Sequence, residues 1–215
     1  MEKDRDIAIV GMSCHFPGAN NIREFWNNII NGVDSIIEAP ENRIAPYYLS
    51  SDKKAEIDRF YFSKGGFVSP IKIDPIQYGI LPVAAEGIDP EHFTALYLVK
   101  EALTDAGVFK KNISLQNCCF ILGKGNFGSI STYKVAEYIY QSTYLKIITE
   151  YLCPNATEEE FEKIKKEHQS KLGRYQADTA FGMMSNIVAS LVSNKYNMKG
   201  PAYTVCSLCK FFNCC

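Results

Sequence analysis

Gly200-Pro201-Ala202-Tyr203-Thr204-Val205 leads into Cys206-Ser207-Leu208-Cys209. Ala202 to Val205 reads as a buried strand closed by a turn. A cysteine that follows such a strand and opens a helix feels the positive end of that helix. Its pKa falls, thiolate forms near neutral pH, and the thiolate can take an acyl group as a thioester. Beside this stands the plainer reading of Cys209 as a buried apolar cysteine, which composition and spacing alone favour.

Working outward, the segment before this strand alternates strands with helices. Ile7-Ala8-Ile9-Val10-Gly11-Met12 is a continuous apolar run expected to be a strand buried on both faces. Residues 21–32 predict a helix with Ile22, Phe25, Trp26, Ile29 and Ile30 on one face, capped by Asn21. Residues 33–88 read as a long surface excursion with short helical turns. Asp89 caps a helix that begins at Pro90, carries Leu96, Val99, Leu103 and Ala106 as its stripe, and stops at Gly107. Cys118 to Gly123 predicts a second buried strand. A tyrosine-rich helix over 132–152, a charged helix from Thr157 to Leu172 with a capping-box start, and a short apolar helix from Met184 to Asn194 complete the chain. The pattern is that of an α/β layer architecture.

The whole chain has 215 residues, 47% of them hydrophobic and 22% charged, enough for a sizeable core. Its net charge of −1 argues against a nucleic-acid or membrane surface as the main partner. No apolar run approaches a membrane span. The charged opening Met1 to Asp6 lacks the apolar centre of a signal peptide, so the expected compartment is the cytoplasm, where the eight cysteines stay reduced.

Other sites carry weaker signals. Gly123-Lys124-Gly125-Asn126-Phe127-Gly128 fits a glycine-rich phosphate loop, but no clean helix start or suitably spaced acid accompanies it, and a structural turn is expected. His168 should be solvated in its charged helix, His92 exposed in a first helical turn, and His15 lies in a loop after a strand, a common place for function. Cys206-x-x-Cys209 with Cys214-Cys215 has partial zinc-ligand spacing, but adjacent cysteines make a poor second knuckle, so no metal is expected.

Taken together, the motifs resemble the N-terminal half of a β-ketoacyl synthase of the polyketide and polyunsaturated-fatty-acid synthase type. They are Ile7 to Ala19, Phe25-Trp26, Gly32 to Ile36, Pro40 to Arg43, Gly65 to Val68, Asp89 to Glu91, Glu101 to Gly107 and Gly200 to Val205, in the family's order. The resemblance implies a thiolase-like fold of αβαβα layers, of which this is the N-terminal half, in a homodimer. It implies decarboxylative Claisen condensation, in which a cysteine takes an acyl chain from an acyl carrier protein and a malonyl thioester supplies the attacking carbanion. Phosphopantetheine belongs to the carrier protein, and the synthase needs no cofactor. Cys209 falls on the nucleophile's position.

The neighbours of Cys209 depart from the family. Where the family reads approximately Asp-Ala-Ala-Cys-Ala-Ser-Ser, this chain has Cys206-Ser207-Leu208-Cys209-Lys210-Phe211-Phe212. The domain is therefore expected to run over 4–205, with 206–215 an aberrant cysteine-rich tail. One codon choice for Cys206 to Cys215, prefixed with the two bases GA and read from the G, gives Asp-Ala-His-Cys-Ala-Ser-Ser-Ser-Ile-Ala, which points to a frameshift. The family's two catalytic histidines lie in its second half. The chain alone is thus expected to be an inactive fragment of a 3-oxoacyl-(acyl-carrier-protein) synthase that folds poorly. Two rival readings are a non-catalytic dimerising or carrier-binding module and an α/β domain with a zinc-binding tail.

Overall fold

The computed structural model describes residues 6–41, 43–44, 46–52, 54, 57–125, 129–172 and 177–206. In chain order the elements are α1 (Ile22–Ile30), β1 (Ile36–Glu38), β2 (Lys64–Gly66), α2 (Pro82–Ala85), α3 (Pro90–Asp105) and α4 (Val108–Lys111). Then come β3 (Phe120–Lys124), α5 (Ile130–Ile147), α6 (Glu158–Lys171), α7 (Ala177–Met183), α8 (Ser185–Lys195) and β4 (Ala202–Cys206). Two compact units emerge, one from residues 1–72 and 98–113, the other from 73–97 and 114–215.

The first unit is built on local signals. Asn21 accepts a hydrogen bond from the Glu24 backbone N–H at 3.0 Å and so caps α1. Three-residue β1 and β2 pair antiparallel, Ile36 opposite Gly66. The run Ile7 to Met12 is extended, but no described strand pairs with it, and Ile7, Ile9 and Val10 are 95, 80 and 75% exposed. This corrects the expectation of a doubly buried strand: such a strand needs a sheet neighbour on each edge and a layer on each face. The run is instead anchored at its end. A Cβ on Gly11 would lie 2.4 Å from the Ala102 carbonyl oxygen, so only glycine allows this approach to the last turns of α3. The Met12 N–H donates to Asp105 Oδ2 at 2.9 Å and the Ser13 hydroxyl to the Leu98 carbonyl at 2.7 Å.

The second unit contains a parallel pair. Phe120, Leu122 and Lys124 of β3 stand opposite Ala202, Thr204 and Cys206 of β4. Side chains alternate across a strand, and Phe120, Leu122 and Lys124 are the half-buried set while Ile121 is exposed. Helix α8 packs on the pair, with Val188, Ala189 and Val192 buried and the Thr204 hydroxyl donating to the Ser185 carbonyl at 2.9 Å. Closing off each valine is worth about 1.5–3 kcal/mol. Leu96, at 1% exposure, adds the first turns of α3 to this core. α7 was not foreseen; its seven residues, Ala177–Met183, include Gly182 and only Ala177, Ala180, Phe181 and Met183 as apolar side chains, too short for periodicity to register.

Candidate functional site

The C-terminal ends of parallel strands are where α/β folds place their chemistry, and β3 and β4 end side by side at Lys124 and Cys206. Cys206 is exposed, with a free thiol. Cys209, three residues further on, lies outside the described residues, as do Cys214, Cys215 and Asn126 to Gly128 of the glycine-rich segment.

A polar cluster surrounds the end of β3. Lys124 is mostly buried and its ammonium donates to Glu91 Oε1 in a close ion pair. Asp89 is itself 4% exposed and caps α3: its Oδ1 accepts from the Glu91 N–H at 3.1 Å and its Oδ2 from the Ser131 N–H at 3.2 Å. One carboxylate thereby ties the starts of α3 and α5 together. Gly182 of α7 closes the cluster, because a Cβ there would lie 2.5 Å from Ser131 Oγ and 2.8 Å from the Gly87 carbonyl oxygen. Far from a bare phosphate loop, Gly123-Lys124 spends its cation on Glu91. Ser129 caps α5 by accepting from the Thr132 N–H at 3.1 Å, so a clean helix does begin after this segment.

His92 sits in the same cluster. It is fully buried, not exposed as its place in a first helical turn suggested, and neither ring nitrogen has a hydrogen-bond partner. Burial holds its pKa below 6.5; the Asp89 and Glu91 carboxylates oppose that and Lys124 adds to it. The imidazole is therefore neutral near pH 7. His168 is half-buried, its Nδ1 shielded without a partner, where full solvation was expected.

In the first unit, His15 Nε2 lies 2.8 Å from the Ser69 carbonyl oxygen, a structural contact. The adjacent Cys14 thiol is pushed up, first by burial and then by the Glu24 carboxylate, which disfavours a thiolate there. The three histidines are not brought together within either unit, and the described residues contain no group of three or more metal-ligating side chains. No described helix is long and apolar enough to cross a membrane. Lys124–Glu91 and buried His92 were not legible beforehand, since each depends on contacts between segments more than thirty residues apart.

The profile of the family described as Beta-ketoacyl synthase, N-terminal domain, matches residues 4–209. The chain belongs to this family of condensing enzymes. Over 213 residues it is 28% identical to one subunit of the polyunsaturated fatty acid synthase of a Thraustochytrium species, covering 97% of this chain and 7% of the relative. It is 34% identical over 122 residues to the polyketide synthase PksR of Bacillus subtilis, 56% of this chain and 5% of that one. Among solved structures, the PfaC keto synthase–chain length factor matches with a TM-score of 0.74 at 19% identity, over 95% of this chain and 22% of that one. The oxazolomycin ketosynthase domain of Streptomyces albus matches with a TM-score of 0.66 at 22% identity, covering 95% and 29%. The fold is the thiolase-like α/β fold of ketosynthases, represented by part of the domain. The chain spans less than a tenth of these curated relatives and under a third of the solved chains.

Proposed function

We propose that this chain carries the acyl-accepting part of a 3-oxoacyl-(acyl-carrier-protein) synthase, with Cys209 as the nucleophile. The observation that carries the reading is the family match over residues 4–209, which takes in the β3–β4 pair and reaches Cys209. In this reading Cys209 Sγ, as thiolate, attacks the carbonyl carbon of an acyl thioester. The carrier protein's phosphopantetheine thiolate leaves and an acyl-cysteine remains. Loss of carbon dioxide from a malonyl thioester then gives the carbanion that attacks this acyl group, releasing the Cys209 thiolate. The partners are an acyl carrier protein bearing acyl and malonyl groups and a second copy of the synthase. The synthase itself needs no cofactor, and free-thiol chemistry suits a reducing compartment such as the cytoplasm.

Residues 206–215 are the out-of-frame counterpart of the nucleophile turn. Lys210, Phe211 and Phe212 stand where the family has small residues, and in this reading the chain as it stands does not condense. The test is intact-mass analysis after incubation with an acyl thioester. The chain with 206–215 replaced by Asp-Ala-His-Cys-Ala-Ser-Ser-Ser-Ile-Ala is expected to gain one acyl group on Cys209, the Cys209→Ala version none, and the unaltered chain none. Acylation that survives Cys209→Ala, or its absence in the restored chain, overturns the assignment.

A further inference from the structure

The Lys124 ammonium, at the end of β3, is incompletely paired. Its side chain is only 12% exposed, and Glu91 is the one partner it has among the described residues. The Glu91 side chain is itself 40% exposed, so water shares that carboxylate. The Asp89 carboxylate of the same cluster is spent on the Glu91 and Ser131 N–H groups. An ammonium carries three N–H donors. Two of them remain after Glu91, in a place that little water reaches, and a mostly buried cation is costly without close acceptors.

The strand register shows where a further acceptor belongs. β3 and β4 are parallel, and Lys124 stands opposite Cys206. Residues directly opposed on neighbouring strands lie about 4.8 Å apart and share one face of the sheet. Thr204, two residues back on the same face of β4, is committed to the Ser185 carbonyl, and Val205 belongs to the other face. Position 206 is therefore the place on β4 from which a side chain meets the spare donors. Cys206 brings a free thiol there, a weak acceptor at best.

We propose that Lys124 is a positioning residue for the nucleophile turn. It clamps a carboxylate at position 206 and, through Glu91, ties the end of β4 to the first turn of α3. Residue 206 is the last of β4 and stands three residues before Cys209, so the clamp fixes the point from which the turn departs. The restored tail described above places an aspartate at 206; with Cys206 the clamp stays open. Lys124 thus gives a physical reason for an acid at that position, one that does not depend on codons. The effect on acylation rests on the reading of Cys209 as the nucleophile; the contact between Lys124 and position 206 does not.

The contact is tested on the full chain without any chemistry at Cys209. Cys206→Asp and its neutral isostere Cys206→Asn are each made with Lys124 present and with Lys124→Met. Unfolding is followed in denaturant and by hydrogen exchange of the β3 and β4 peptides. With Lys124 present, the aspartate variant is expected to have an unfolding constant about tenfold lower than the asparagine variant; with Lys124→Met the difference should vanish. In the chain with the restored tail, Lys124→Met is expected to slow acylation of Cys209 about tenfold or more, and Lys124→Arg to return most of the rate. Three results would overturn the proposal: no difference between the aspartate and asparagine variants, the same difference in both backgrounds, or acylation indifferent to Lys124→Met. A restored chain that takes no acyl group even with Lys124 present refutes the Cys209 assignment, and the unfolding comparison still decides whether Lys124 holds position 206.

Discussion

In the second unit, Val188 and Val192 of α8 are closed off from water over the β3–β4 pair; in the first, Ile7, Ile9 and Val10 stand almost bare. Both units contain apolar runs of similar strength, and both contain helices whose caps form as their sequences require, Asn21 for α1 and Ser129 for α5. The difference lies in partners. The β3 run finds β4 eighty residues later and a helix to cover one face, while the Ile7 run finds only the end of α3. Local chemistry makes elements wherever it is present; burial follows only where the described residues also supply the neighbour.

That contrast can be broken or sharpened by substitution, read by peptide-resolved hydrogen exchange and denaturant unfolding. The largest effect is expected at Leu96, which is 1% exposed: Leu96→Ala should cost about 3 kcal/mol and release protection across α8 and β4. Next is Asp89→Ala, which strips the α3 cap and leaves the buried Ser131 N–H without its acceptor, for about 2 kcal/mol.

A third effect depends on pH. The folded pKa of His92 is below 6.5, so below that pH the unfolded chain binds a proton that the folded chain does not. Stability should therefore fall as pH drops from about 6.5 towards the folded value, by at most about 1.4 kcal/mol per pH unit. His92→Phe should flatten that limb; an unchanged slope would mean that the imidazole is not held neutral. Smallest of all is Ile9→Ser in the first unit. At 80% exposure it should change stability by no more than about 0.5 kcal/mol, whereas a loss comparable to Leu96→Ala would show that the Ile7 run is buried after all.

Much of the second unit was legible in the residues. Asp89 before Pro90 and the Thr157 capping box each carry a short-range physical cause and formed as read; the apolar runs at β3 and β4 formed strands, but half-buried and exposed ones where buried strands were expected. Legibility failed where the cause is long-range. Whether Ile7 to Met12 is covered, whether His92 faces water and where the Lys124 ammonium goes are decided by residues distant in sequence, and no periodicity records them. β1 and β2 are three residues each, with Gly65 and Gly66 in one of them, and gave no alternation to detect. At the candidate site, the strand that precedes Cys206 was readable from its apolar run, whereas the polar cluster beside that strand was not; Cys209 lies outside the described residues.

Whether residues 206–215 are a displaced copy of the nucleophile turn is tested most directly by the sequence of the genomic DNA from Thr204 through Cys215 and several hundred bases beyond. The expected result is a neighbouring frame that reads Ala-His-Cys-Ala-Ser-Ser-Ser from the second base of the Cys206 codon and continues into the histidine motifs of a condensing enzyme. DNA in which no neighbouring frame contains that motif would contradict the proposed origin of the tail.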